Sequence, residues 1–204
     1  MNTDIIREVQ RALGLTPDGV AGPKTWSAIR DRLVPTVPPQ PLPTSQPNSA
    51  TVDPRSEGNI ASLLPPVRNI ARSLVRAAAE HGIQIKVISG LRTYEQQDEL
   101  YAQGRSRPGP VVTKARGGYS NHNFGIAFDI GVFDAAGQYV PESPLYKAVA
   151  VLGKQLRLSW GGDWQSIQDE PHYELRPPWA RDISEAQMLA ELRRRHDAGE
   201  PVFT

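Results

Sequence analysis

The sequence predicts an α+β domain preceded by a small helical module. Two patterns place the elements. Apolar residues recur at offsets of three and four in several segments, the mark of amphipathic helices. Short apolar or alternating runs read as strands, mostly not linked into βαβ units, which argues for α+β. A third observation divides the chain. Residues 35–59, PTVPPQPLPTSQPNSATVDPRSEGN, are rich in Pro, Ser and Thr and nearly devoid of large apolar residues. Such a stretch cannot bury enough surface to fold and is expected to be an extended spacer.

Before the spacer, Ile5, Val9 and Leu13 recur every fourth residue, with Ile6 and Ala12 alongside, and Gly14 can stop the helix. Pro23 suits a first helical position, and Trp26, Ile29 and Leu33 follow on one face. After the spacer, Val67, Ile70, Ala71, Leu74, Val75 and Ala78 predict a helix over 65–81, ended by Gly82. IQIKVIS (83–89) alternates as a strand should. Thr93 and Gln96 form a capping-box pattern for a helix running to Ala102. GPVVT (109–113) is expected to be a short strand and GIAFDIGVF (125–133) a buried one. Ser143–Pro144 opens a helix through Leu156, and HYEL (172–175) is the final strand. Ser184 with Gln187 caps a last helix that ends near Gly199.

The chain carries 23 basic and 22 acidic residues, a net charge of +1, which gives no reason to expect nucleic-acid binding. It has no cysteine, so disulfides and thiolate metal sites are excluded. No stretch approaches the roughly 18–20 apolar residues of a membrane helix. The N-terminus, MNTDIIREVQRALGL, lacks the basic start and unbroken apolar core of a secretory signal. The expectation is a soluble product made in the bacterial cytoplasm and not inserted in a membrane, which anything acting outside must leave by a separate pore.

One feature resists a purely structural explanation. Asp129 stands among Ile126, Ala127, Phe128 and Ile130. A carboxylate rarely enters a core unless it is paired, hydrogen-bonded or bound to a metal. His122 precedes it by seven residues, and Gly125 between them allows the chain to turn so that both side chains converge. A second cluster, DEPHYEL, places Asp169 three residues before His172, with Pro171 stiffening the turn. Two histidines and one carboxylate suffice for a catalytic zinc with an open position, and a further carboxylate can take and return a proton. The two clusters supply four such candidates. Each alone has a bland alternative, since a lone His–Asp pair is more often a hydrogen bond.

Together the pieces are specific. Ser120, His122, Gly125, Ala127 and Asp129 form SxHxxGxAxD, and a DxxH follows. With SGLRTYEQQ (89–97) and WGGDW (160–164), this resembles the zinc D-Ala-D-Ala carboxypeptidase and L-alanyl-D-glutamate endopeptidase family, VanY-like peptidases that hydrolyse peptidoglycan stem peptides. The resemblance covers about residues 60–178. It implies a small antiparallel sheet with flanking helices, of the zinc DD-peptidase and hedgehog type. It implies one zinc on His122, Asp129 and His172, Asp169 as general base and acid, and Arg92 as the catalytic holder of a substrate carboxylate or developing oxyanion. Aspartate at 169, where the carboxypeptidase branch usually has glutamate, is similar to the phage-endolysin branch. DGxxGPKTW, from Asp18 to Trp26, resembles the peptidoglycan-binding repeat, although the repeat's third helix has no counterpart here.

The expected organisation is therefore a truncated wall-binding-like module over 1–34, a linker over 35–59 and a zinc peptidase domain over 60–204. The expected activity is cleavage of the L-Ala–D-Glu bond by a monomeric, phage-type endolysin. Two alternatives stand beside it: a D-Ala-D-Ala carboxypeptidase of the same fold, and a zinc-containing wall-binding protein without hydrolysis. Ser120 and Trp160 are candidate substrate contacts, with turn-shaping and core packing as their alternatives. Glu174 is either a partner of the metal site or a solvated edge residue. His81 and His196 are assigned no metal.

Overall fold

The structure is a computed structural model that describes residues 3–20, 22, 24–25, 28, 51–165 and 168–204. The chain divides into two compact units, Met1–Gln46 and Pro47–Thr204. Among the described residues no helix is long and apolar enough to cross a membrane.

In the first unit, helix α1 spans Thr3–Ala12 and Gly14 ends it at φ 71°. The expected apolar face is only partly realised. Ile5 is exposed, while the buried residue of the helix is Gln10. Its amide is an organising hub: Nε2 donates to Asp18 Oδ1 (2.7 Å), Val20 O (3.0 Å) and Thr25 Oγ1 (3.0 Å), and Oε1 accepts from Gly19 N (2.9 Å). Gly19, at φ 80°, occupies the left-handed region that glycine adopts without strain. Pro23, Trp26, Ile29, Leu33 and residues 35–50 of the expected linker lie outside the described residues.

In the second unit a helix begins within residues 35–59, the expected linker. Asp53 caps a helix, α2 (Pro54–Ile60), by accepting from Ser56 N at 3.0 Å. Ser56 and Ile60 are fully buried. An Asp-Pro start is an efficient helix opening, and Ile60 is the apolar anchor that holds so short a helix on the core. Helix α3 (Pro65–Glu80) buries Val67, Ala71, Leu74, Val75 and Ala78, the predicted face. Helix α4 (Tyr94–Ala102) carries the full Thr93/Gln96 capping box. Helices α5 (Leu145–Gln155) and α6 (Glu185–Ala198) follow, the latter with a Ser184/Gln187 capping box and Gly199 in the left-handed region.

The sheet is entirely antiparallel. Its central strand, β2 (Ala127–Phe133), pairs with β1 (Gln84–Ser89) on one edge. On its other edge it pairs with β3 (Tyr139–Val140) and β5 (His172–Glu174). Strand β4 (Ser159–Trp160) pairs with β5. Strand side chains alternate. Phe128, Ile130 and Val132 enter the main core with Leu74, Tyr146 and Tyr173, while Ala127, Asp129 and Gly131 belong to the opposite face. Residues 109–113 do not form the expected strand. Val111 and Val112 are exposed, and Pro108 and Pro110 remove two backbone donors from any ladder this segment could join.

Candidate metal centre and its cleft

The strand register assembles the site. Asp129 on β2 stands directly opposite His172 on β5 and opposite Ser89 on β1, so all three lie in one row across the sheet. His122 arrives from a 3₁₀ turn, Asn121–Phe124, and Gly125 at φ 67° reverses the chain before β2 begins. The glycine break therefore re-aims His122 onto the strand, as its position between the two residues anticipates.

Three atoms converge. His122 Nε2 lies 3.1 Å from Asp129 Oδ1 and 3.2 Å from His172 Nδ1, and His172 Nδ1 lies 3.3 Å from Asp129 Oδ1. His122 Nδ1 sits 2.8 Å from Gly90 O, which can only accept, so Nδ1 carries the proton and Nε2 presents a lone pair. His172 Nε2 faces Glu174 Oε2 at 3.3 Å, which leaves Nδ1 pointing inward. Three lone-pair-bearing atoms thus meet at one point. A tetrahedral zinc with bonds of about 2.0–2.1 Å holds its ligands roughly 3.3–3.4 Å apart. The observed triangle matches that edge length, so the residues fit a zinc ion.

The electrostatics agree. Burial pushes the Asp129 carboxyl up, but the charges and hydrogen bonds of His122 and His172 outweigh it and hold the group well below its ordinary 3.8. Burial pulls His172 down, yet Asp129 and Glu174 on its two sides raise the cation-free imidazole to about 10. The point that suits a metal therefore attracts a proton when no metal is there.

The remaining predicted residues sort by position. Arg92 is turned toward Asp129, with Nη2 on Asp129 Oδ2 (2.5 Å) and on Ser89 Oγ (2.8 Å). Its Nε also meets Ser89 Oγ at 3.2 Å, and Nη1 meets Gln97 Oε1 at 3.4 Å. Arg92 thus pairs with Asp129 while also lining the cleft in which its expected grip on a substrate carboxylate or developing oxyanion would be made. Asp169 lines the same cleft, and its carboxylate makes no hydrogen bond or ion pair among the described residues. Burial, then the Asp129 charge, raises its pKa above 3.8. Gly161 admits this turn, because a Cβ there would strike Asp169 O at 2.5 Å. Ser120 lines the cleft. Trp160 belongs chiefly to the core, its Nε1 donating to Glu170 O at 2.7 Å, although its ring also forms part of the cleft wall. The exposed indole is Trp164, tilted against His172 with centroids 4.8 Å apart.

Sequence reasoning left Glu174 undecided and missed its neighbours. Glu174 is buried, and Asn121 Nδ2 donates both to Glu174 Oε2 and, at 2.7 Å, to Glu185 Oε1. Arg176 closes the network on Glu185 Oε2 at 2.6 Å. The available signal was the strand period: two residues after His172, Glu174 returns to the same face. The cleft around these groups encloses about 1240 Å³. His81 and His196 lie outside the metal group, the latter stacked on Tyr94.

Comparison with known proteins points the same way. A D-alanyl-D-alanine carboxypeptidase family model matches residues 113–175, and a putative peptidoglycan-binding domain model matches residues 3–29. The peptidoglycan L-alanyl-D-glutamate endopeptidase CwlK of Bacillus subtilis (strain 168) is 37% identical over 126 residues, covering 57% of this chain and 75% of that protein. The chain belongs to this peptidase family. It is thereby a member of a metallopeptidase family that acts on peptidoglycan. The L-alanyl-D-glutamate peptidase of Listeria phage A118 is 29% identical over 124 residues, 59% of this chain and 40% of that longer protein. The solved L-Ala D-Glu endopeptidase ChiX of Serratia marcescens is 25% identical, with 63% of this chain and 91% of that chain covered at a TM-score of 0.47.

Proposed function

We propose that this family member is a zinc-dependent endopeptidase that cuts the L-Ala–D-Glu bond of peptidoglycan stem peptides, with one zinc per chain on His122, Asp129 and His172. The observation that carries the reading is the triangle of lone-pair atoms at 3.1–3.3 Å inside a cleft that also holds Asp169. The names of the B. subtilis and phage relatives favour this bond over a terminal D-Ala.

Zinc, when bound, supplies a Lewis acid for the scissile carbonyl and lowers the pKa of a coordinated water. The chain's residues do the rest. Asp169 accepts the proton of the attacking water and returns it to the leaving amine nitrogen as the C–N bond breaks. Its raised pKa suits both halves of that exchange. Arg92 holds Asp129 Oδ2, which would leave Oδ1 for a metal, and its remaining N–H groups would hold a substrate carboxylate or the developing oxyanion. Gly90 O and Glu174 hold the two imidazoles in the tautomers that a metal would need. Ser120 and the Trp160–Trp164 wall flank the substrate.

In the same reading, residues 1–34 are a wall-binding module, joined by a spacer that ends before Asp53. The protein acts as a monomer in the manner of a phage endolysin and reaches the wall through a separate pore. The test is a defined stem tetrapeptide, L-Ala-D-Glu-diamino acid-D-Ala, and its pentapeptide, incubated with zinc-loaded protein. A product starting at D-Glu supports the endopeptidase. Release of D-Ala alone from the pentapeptide moves the assignment to the carboxypeptidase activity, and no product from either moves it to a wall-binding protein.

A further inference from the structure

Four basic residues line the cleft: Arg92, Lys114, Lys154 and Arg176. Three are committed within the protein. Arg92 is paired with Asp129, Lys154 Nζ lies 2.7 Å from Asp163 Oδ2, and Arg176 lies 2.6 Å from Glu185 Oε2. Lys114 makes no ion pair or hydrogen bond through its side chain among the described residues. Of the acidic residues lining the cleft, Asp129, Asp163, Glu174 and Glu185 are all partnered, and Asp169 is the uncommitted carboxylate. The cleft thus presents two unspent charges. One is the proposed base. The other is a cation.

Lys114 is also not on a loose loop. The fully buried Gln97 donates from Nε2 to Thr113 Oγ1 (3.3 Å) and to Ala115 O (3.0 Å), the residues on either side. Ala115 N closes onto Thr113 Oγ1 at 3.2 Å. The same Gln97 touches Arg92, so the backbone that carries Lys114 is tied to the wall of the metal site.

We infer that Lys114 is a specificity-determining residue that binds the free α-carboxylate of the D-Glu residue. The inference rests on the endopeptidase reading. In a stem peptide D-Glu is joined onward through its γ-carboxyl, so its α-carboxylate stays free, on the carbon attached to the scissile nitrogen. An anion this close to the reacting bond is stabilised by a counter-charge. The charge of Arg92 is already shared with Asp129, whereas that of Lys114 is not shared with any acid among the described residues. An ammonium discriminates well here, because the amidated form of the residue, D-isoglutamine, has the same shape without the charge. The chemistry therefore predicts preference for unamidated wall peptides.

The experiment compares kcat/KM for two tetrapeptides that differ only in D-Glu or D-isoglutamine, using zinc-loaded wild type, Lys114→Met, Lys114→Arg and Lys114→Glu, with zinc content measured for each. A charge-assisted hydrogen bond predicts about a tenfold preference for D-Glu in wild type. That preference persists in Lys114→Arg, falls to near one in Lys114→Met and inverts in Lys114→Glu. Equal rates on both peptides in wild type, or an unchanged ratio in Lys114→Met, would overturn the inference and leave the endopeptidase reading standing. Failure of zinc-loaded wild type to cut either peptide would overturn that reading and the inference with it.

Discussion

Glu174→Gln isolates the support behind the metal. The change preserves shape and burial but removes the charge that faces His172 Nε2 at 3.3 Å and receives Asn121 Nδ2. Both partners meet the same oxygen, Oε2, so an amide oxygen there can still accept from both. What is lost is the charge that strengthens the two bonds, and the amide nitrogen is left facing Arg176. A hydrogen bond to a charged group contributes about 1.5–3 kcal/mol. Partners of this kind typically change metal affinity about 10–100-fold, or roughly 1.4–2.7 kcal/mol. The two ranges overlap, and the structure adds a reason for the upper half: Glu174 is 2% exposed, so solvent screens little of the effect. The assay is zinc affinity of the metal-free protein, measured by competition with a chromophoric chelator at fixed pH. The expected result is an affinity lower by about 30-fold or more, with circular dichroism unchanged. An affinity within about twofold of wild type would refute the claim that Glu174 orients His172.

Three further outcomes are expected. The kcat/KM profile should fall on the acid side at a pKa above 3.8, because the base must be ionised and burial raises Asp169; a limb at or below 3.8 contradicts its role. Glu57 is held below its ordinary 4.5 first by its hydrogen bonds to Arg72, at 2.7–3.2 Å. Its contribution to stability is therefore complete above that ordinary value and is lost as pH falls through the folded value. Urea unfolding should separate wild type from Glu57→Gln at pH 7 and bring the two together in strong acid; a gap independent of pH would be inconsistent. Gly162→Ala drives a methyl into the Trp160 ring and should cost about 1–3 kcal/mol, read as a lower Tm, whereas an unchanged Tm would show that the ring can move.

What could be read from the residues differs by element. The helix at Pro65–Glu80, both capping boxes and the strand carrying Asp129 were legible because periodicity and caps are local signals. The helix at Pro54–Ile60 was hidden inside a proline-rich composition, since what holds it is tertiary: the buried Ile60, Ser56 Oγ accepting from Val87 N, Asn59 Nδ2 donating to Val87 O, and the Glu57–Arg72 pair. The strands Tyr139–Val140 and Ser159–Trp160 are two residues each and exist only through their partners. Residues 109–113 looked like a strand by composition, yet the segment is held by the Gln97 side chain, a contact between distant residues. The site divides in the same way. His122, Asp129, Asp169 and His172 were legible as four candidates by type and spacing, and only the family resemblance divided them into ligands and base, whereas the inward turn of Arg92 depends on β1–β2 register. The Asn121–Glu174–Glu185 network joins three separate segments, and no local pattern announces such a set.

The most direct test of the account is digestion of purified peptidoglycan by wild type and by Asp169→Ala, with products read by mass spectrometry and zinc quantified in both proteins. The account predicts zinc near one per chain in each, peptides beginning at D-Glu from wild type, and a rate about 10²–10⁴-fold lower in Asp169→Ala. Full activity in a zinc-loaded Asp169→Ala protein, or wild-type activity that survives removal of zinc, would contradict it.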